Sequence, residues 1–167
     1  IIFEHVPEGE RIPAFIDYVY SVGYASLVKG KTCIVRTIEH LMATCHMYGI
    51  TNLLIKVSEE VPILDGSAIE LCKKIEEAEV VEQTEGVEPL RVKEVISLKN
   101  LPDEKQLFIE PANQFEVIYD LVQQAPIGVQ HYHFTGDIDA FKSHIAPART
   151  FGFLKDFEKL NQMGLGS

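Results

Sequence analysis

From Thr37 onward the apolar residues Ile38, Leu41, Met42 and Cys45 recur at i, i+3, i+4 and i+7, which is the stripe of an amphipathic helix. Glu39 and His40 lie off that stripe. At roughly 100° per residue, Glu39 falls on its flank and His40 close to the far side. Gly49 offers a C-terminal stop, and Thr51 to Val57 is a short β-branched and apolar run that predicts a strand. Val61-Pro62-Ile63-Leu64-Asp65-Gly66-Ser67 then predicts an Asp-Gly turn. Ser67 and Glu70 have the spacing of a capping box that opens a second helix over Ala68 to Glu79, burying Ile69, Leu71, Cys72 and Ile75.

Ahead of this block the pattern is strand-like: Ile1 to Val6, a Pro-Glu-Gly-Glu turn, Ala14 to Val28 with much Tyr and Val, a Lys29-Gly30-Lys31 turn, and Thr32 to Val35. After Pro89 strand-like runs resume over Arg91 to Leu98, Gln106 to Glu110, Gln114 to Val122 and Gly128 to Phe134. A short helix near Asp137 to Ser143 and a longer one over Thr150 to Met163 follow. Both halves thus follow one plan, strands and then helices, which predicts an α+β protein with residues 1–80 as a first domain and 91–167 as a second. Residues 81–90, within an acidic, Gly-containing stretch, read as the linker; an exposed loop inside one domain is the alternative.

Composition narrows the function classes. With 15 basic and 25 acidic residues the formal charge is −10, so there is no basic stripe to neutralise phosphates, which argues against a nucleic-acid binder. A phosphorylated small molecule held by a few local donors stays compatible. Apolar residues make up 46% of the chain, enough for a packed core, and no run approaches the length of a membrane span. Cys33, Cys45 and Cys72 include no CxxC pair, which favours reduced thiols in a reducing compartment. The chain opens on Ile rather than Met, as a piece of a longer protein would.

The chemistry centres on Glu39 and His40. In the first turn of a helix, unsatisfied N–H groups and the dipole favour an ionised carboxylate and oppose a charged imidazole. A neutral histidine beside an anionic glutamate suits a metal site with a general base; the plain alternative is that both solvate the outer face. Residue 44 is Thr, so the HExxH chelate is absent, and His46 is rotated roughly 120° from His40. His131 and His133 lie two apart on a predicted strand, so their rings face one side. With His40 they would make a three-histidine set, although no sequence feature brings that strand to Glu39. His5 and His144 carry no pattern.

The order EHLMA, ITNLLIKV and EVPILDGSA, followed by ARTFGF over residues 148–153, resembles the UDP-3-O-acyl-N-acetylglucosamine deacetylases, the zinc enzymes of lipid A synthesis. The likeness covers nearly the whole chain. It implies two similar α+β domains with the active site between them, His40 as a Zn2+ ligand, and Glu39 as the base that takes a proton from water attacking an acetamide. Thr150 would hydrogen-bond the developing oxyanion, with Phe151 and Phe153 as apolar walls and Asp156 as a polar contact near the sugar or nucleotide. Read without the resemblance, Thr150 is a helix N-cap and the two phenylalanines are core.

The resemblance also implies what this stretch lacks. A histidine and an aspartate four apart on a later helix, beyond Gly164-Leu165-Gly166-Ser167, would complete the metal site. Strands with a GVGLHTG-like segment would precede Ile1. The chain therefore reads as the middle of such an enzyme, inactive alone, with its other ligands supplied by further polypeptide or a complementing chain. The implied setting is the cytoplasm, where a lipid-tailed UDP-sugar is met near the inner leaflet. A non-catalytic descendant serving as a structural or interaction subunit is the second reading, and a generic α+β binding module the third.

Overall fold

Phe3 and Ile12 face each other across two antiparallel strands, β1 (Ile2–His5) and β2 (Arg11–Pro13), and both are fully buried. The computed structural model in which this is seen describes residues 1–21, 24–98, 102, 105–154 and 157–162, without the side chains of 159 and 160. Along β1 the alternation of side chains sends Phe3 and His5 inward and leaves Ile2 exposed. Glu4 lies half-buried on the outer face, where Arg11 donates to it at 2.8 Å and Lys56 lies 3.5 Å away.

The chain divides into two compact units, Ile1–Val80 with Lys142–Ser167, and Val81–Phe141. In the first unit, β6 (Leu54–Val57) joins the free edge of β1 in parallel, giving the order β2-β1-β6. A second sheet runs β3 (Val19–Ser21), β4 (Leu27–Lys29), β5 (Ile34–Val35), all antiparallel, with Val28 opposite Val35. Helices α1 (Glu39–Met47) and α2 (Ile69–Ala78) belong to the same unit. One core draws on both sheets and α1: Phe3, Ile12, Val28, Cys33, Val35, Ile38, Val57 and Val61 are buried, with Leu41, Met42 and Ile55 packed against them.

The predicted stripe of α1 is present: Ile38 and Cys45 are buried and Leu41 and Met42 half-buried. Thr44 is also fully buried, its hydroxyl satisfied by the His40 carbonyl at 2.8 Å. Cys33, Cys45 and Cys72 are buried free thiols. Two expectations differ. Ala14 to Val28 is not one strand: a 3-10 turn over Ile16–Tyr18 breaks it, and Phe15, Ile16, Val19, Tyr20 and Tyr24 are exposed. Their β-rich composition lacked the strict alternation that a half-buried strand requires. Nor does Ser67 form a capping box with Glu70. Its N–H goes to Asp65 at 3.1 Å rather than to Glu70, which pairs with Lys73, and its hydroxyl donates to Asp65 at 2.6 Å while accepting the Ile69 N–H at 3.4 Å.

The β1–β2 and β4–β5 turns are clasped by one side chain. The Glu10 carboxylate, just beyond the β1–β2 turn, accepts the backbone N–H of Lys31 (2.6 Å), Thr32 (3.0 Å) and Cys33 (3.0 Å) and the Thr32 hydroxyl (2.8 Å). A β-carbon on Gly30 would come within 2.6 Å of that carboxylate, so a side chain there would push the clasp aside. Lys142–Ile145 form a tight π-type turn with Phe141. Lys142 reaches the Glu76 carboxylate of α2, which also accepts the Tyr48 hydroxyl from the end of α1, each at 2.5 Å. Burial, and then that carboxylate, push the Tyr48 phenol well up.

In the second unit two antiparallel ribbons form, β7 (Ile96–Leu98) with β8 (Leu107–Ile109) and β9 (Val117–Val122) with β10 (Val129–Phe134). Short helix α3 (Ile138–Ala140) follows, capped by Asp137, which accepts from Ala140 N–H at 2.7 Å. Phe134 and Phe141 are buried with ring centres 6.5 Å apart, and Phe115 meets Phe134 edge-on at 6.4 Å. Most other large apolar side chains of the ribbons are exposed. Residues 81–90 carry no helix or strand and are exposed throughout. The α+β class therefore stands. Among the described residues, no helix is long and apolar enough to cross a membrane.

The Glu10 clasp sets a pH dependence. Three amides and a hydroxyl, the Lys31 N–H foremost, lower its pKa from the ordinary 4.5 to about 2. A carboxyl whose pKa falls on folding contributes stability that is complete above its unfolded pKa and is lost as pH falls through the folded one. Wild type should therefore lose stability between about pH 4.5 and about pH 2. Glu10→Gln should be less stable than wild type at neutral pH, and the difference should shrink across that window in urea titrations. A difference independent of pH would contradict the assignment.

Candidate functional site

Glu39 and His40 form the first turn of α1, and both are half-buried. No side chain caps this helix. Ile38 occupies the cap position, and Thr37 before it adopts the left-handed region at φ 58°, a conformation that β-branched residues rarely take. Neighbouring contacts hold it there. The Thr37 hydroxyl donates to Glu60 at 2.5 Å, Arg36 N–H to the Glu59 carbonyl at 2.9 Å, and Val61 N–H to the Arg36 carbonyl at 3.1 Å. This forced entry explains why the helix starts at Glu39 rather than Thr37.

The carboxylate of Glu39 faces the loop before β4. One of its oxygens accepts Ser26 N–H at 2.9 Å, and Ile38 N–H returns a bond to the Ser26 carbonyl at 3.3 Å. The pair thus sits on a helix start fastened on two sides, by the Ser26 loop and by the Glu59–Val61 segment. A carboxylate is favoured at this end by the helix dipole.

That same segment leads into Asp65-Gly66-Ser67. Leu64 is left-handed at φ 54° and Gly66 at φ 84°. Asp65 accepts the Ser67 hydroxyl at 2.6 Å and the Ser67 N–H at 3.1 Å, an Asx-type turn. Its other oxygen takes Arg149 at 3.2 Å. The Ser67 hydroxyl first, then its amide and Arg149, lower the Asp65 pKa. The 146–150 segment is laid on this turn by two backbone bonds, Ala68 N–H to the Ala146 carbonyl (2.8 Å) and Thr150 N–H to the Gly66 carbonyl (2.9 Å).

Thr150 is exposed, and the nearest described helix begins at Phe157, so Thr150 is not its N-cap. Phe151 is 57% exposed and Phe153 half-buried, their rings edge-to-face at 5.9 Å and 89°; neither is core. Asp156 lies outside the described residues. His131 and His133 are engaged on the β9–β10 ribbon, His131 with Asp120 at 2.6 Å and His133 with Glu116 at 2.9 Å. The sequence reading missed Ser26 and Glu60 as the residues that fix Glu39 and Thr37, and Gly66 and Ala68 as the backbone anchors of the 146–150 segment. The Asp65-x-Ser67 spacing was a legible signal for the Asx turn; the partners across the chain left none.

A catalytic zinc centre takes three protein ligands and leaves a position for water. His40 offers one imidazole, but among the described residues the group of three donors that converges is His5, Glu8 and Cys33, which does not include it. These residues alone do not assemble the zinc centre that the resemblance implies around His40.

The described site thus combines an acid-histidine pair at a helix start with an Arg-Thr-Phe segment pinned to the Asp-Gly turn that follows. The family profile described as UDP-3-O-acyl N-acetylglycosamine deacetylase matches residues 1–167, and the chain belongs to that family. Among its relatives, the UDP-3-O-acyl-N-acetylglucosamine deacetylase of Nitratiruptor is 38% identical over 167 residues, covering 99% of this chain and 55% of the relative. The same enzyme of Aliarcobacter butzleri is 34% identical over 169 residues, covering 99% and 55%, and that of Helicobacter pylori 32% over 167 residues, covering 99% and 56%. The chain spans about half the length of these relatives.

Gly66 gives the site its sharpest test. An alanine there would sit at φ 84° with its β-carbon 3.4 Å from the Thr150 methyl. The left-handed backbone alone costs a non-glycine residue roughly 1–2 kcal/mol. Gly66→Ala should lower stability to urea by about that amount and speed hydrogen exchange at the Thr150 amide. Unchanged exchange at Thr150 would show that the turn does not hold the segment.

Proposed function

We propose that this chain is the central part of a zinc-dependent amidohydrolase that removes acetate from a UDP-linked 3-O-acyl-N-acetylglucosamine in lipid A synthesis. The observation that carries the reading is the family match over the full chain, together with Glu39 and His40 presented half-buried at the start of α1. In the complete protein His40 would give one zinc ligand, with the others drawn from polypeptide outside this sequence or from a complementing chain. Glu39, in the first turn of α1, would accept the proton of the attacking water. Its bond to Ser26 N–H keeps the carboxylate oriented.

Thr150 would donate to the oxyanion as the acetamide carbon becomes tetrahedral, its backbone held by Gly66. Phe151, with more than half its surface open, and Phe153 would wall the substrate, and Asp156 would contact its sugar or nucleotide. Such a substrate carries an acyl tail, so the enzyme would work in the cytoplasm close to the inner leaflet. The domains would be residues 1–80 and 91–167 about a linker at 81–90.

In the full-length gene product, Glu39→Gln should retain zinc and lose about 10²–10⁴-fold in turnover. His40→Ala should lose both metal and activity, and Thr150→Ala should lose about 10²–10³-fold. Acetate release and zinc content measured side by side decide it. Wild-type turnover in Glu39→Gln, or full zinc in His40→Ala, would overturn the roles. Full-length wild type with neither zinc nor deacetylation would instead favour the non-catalytic descendant.

A further inference from the structure

We propose that the tips of the β1–β2 and β4–β5 hairpins form a second transition-metal site, with His5 Nδ1, Cys33 Sγ and a Glu8 carboxylate oxygen as its ligands and zinc as the best-matched ion. These three donor atoms all lie within 4.8 Å of one another. They share no residue with Glu39, His40 or Thr150, so the proposal stands apart from the functional reading above.

The decisive atom is the imidazole nitrogen. His5 is only 6% exposed, and its Nδ1 has no hydrogen-bond partner among the described residues. The Glu8 carboxylate lies against it as an ion-pair neighbour but without hydrogen-bond geometry. A buried polar nitrogen left without a hydrogen bond costs free energy of about 1–3 kcal/mol, and a cation relieves that cost. Cys33, also 6% exposed, brings its sulfur to the same place, while the Glu8 side chain is about half open to solvent.

One nitrogen, one sulfur and one carboxylate oxygen form a borderline-soft donor set, suited to zinc rather than to calcium or magnesium, which take oxygen ligands. Around a tetrahedral ion with bonds of about 2.0–2.3 Å, neighbouring ligands stand roughly 3.3–3.6 Å apart. The Glu8 oxygen that now touches Nδ1 must swing back to admit the ion, a movement its exposed side chain can supply, while the remaining donors draw in. The fourth position would face the solvent beside Glu8.

The site is braced from behind. Glu10 accepts the backbone N–H of Cys33 at 3.0 Å and clasps the Lys31–Thr32 turn. Its own carbonyl accepts His5 N–H at 2.8 Å, and Gly9 N–H donates to the His5 carbonyl at 2.7 Å. One residue thus fixes the backbones that carry both buried ligands, the arrangement by which outer groups orient a metal's ligands. The Thr32 hydroxyl, 3.4 Å from the Cys33 sulfur, adds a further polar neighbour.

Cobalt(II) is the probe, because a thiolate ligand gives it a near-ultraviolet charge-transfer band that histidine and carboxylate ligands do not. Titrating Co2+ into the reduced, metal-free chain should raise that band to saturation at one equivalent, and Zn2+ should bleach it. Cys33→Ser should abolish the band, His5→Ala should weaken binding at least tenfold, Glu10→Gln should weaken it about 10–100-fold, and His40→Ala should leave it unchanged. No band in wild type, or the same band in folded Cys33→Ser, overturns the proposal. If Cys33→Ser does not fold, the readout is alkylation of Cys33 in wild type, followed by mass spectrometry. Slowing by Zn2+ supports the site; an unchanged rate overturns it.

Discussion

The 2.9 Å hydrogen bond from Thr150 N–H to the Gly66 carbonyl is the constraint on which the candidate site depends. It requires the left-handed backbone at Gly66, which aims that carbonyl at the incoming segment and which glycine alone takes without a steric penalty. Its companion, Ala68 N–H to Ala146, makes a two-rung ladder whose anchor, Ala146, is fully buried. Arg149, Thr150 and Phe151 are exposed, so little burial holds them. The Arg149–Asp65 pair is itself exposed, and an ion pair in water contributes little to stability. Backbone hydrogen bonds, not side-chain packing, therefore decide where the Arg-Thr-Phe segment lies.

Two strained residues bracket the same region. Thr37 precedes the Glu39–His40 pair and Leu64 precedes Asp65, and both hold positive φ without being glycine. Each such residue costs on the order of 1–3 kcal/mol and persists only where its surroundings over-determine it. Around Thr37 these surroundings are visible: the Glu60 carboxylate takes its hydroxyl, and the Arg36 backbone is bonded on both sides to Glu59 and Val61. The sharp entry leaves α1 without a side-chain cap. It also sets Glu39 in the first turn, where the carboxylate can reach Ser26.

How much of this was legible follows from the range of each interaction. The i, i+3, i+4, i+7 spacing of Ile38, Leu41, Met42 and Cys45 is local and repetitive, so the helix and its buried side could be read. The helix start could not, because Thr37 answers to Glu60. Ser67 shows competition at short range: the carboxylates of Glu70 and Asp65 were both spelled out as acceptors for its backbone N–H, and the N–H goes to Asp65, two residues away. The Ala14–Val28 stretch misled because tyrosine and valine enrichment describes strand-forming residues, whereas burial on alternate positions is what makes a strand. Glu39 and His40 could be singled out because they are adjacent and off the apolar stripe. The meeting of His5 with Cys33 could not, since it depends on how two hairpins are clasped by Glu10.

The division of the chain carries a consequence for its biosynthesis. Residues 81–141 form their own unit between the two stretches of the first, so Asp65 leaves the ribosome 84 residues before Arg149. At about 5–20 residues per second that interval lasts roughly 4–17 s. During it the intervening unit is translated in full, while the Gly66 carbonyl is solvated by water. The segment that bears Thr150 is thus a late arrival on a turn made long before it, and the site is assembled only after most of its scaffold has been synthesised.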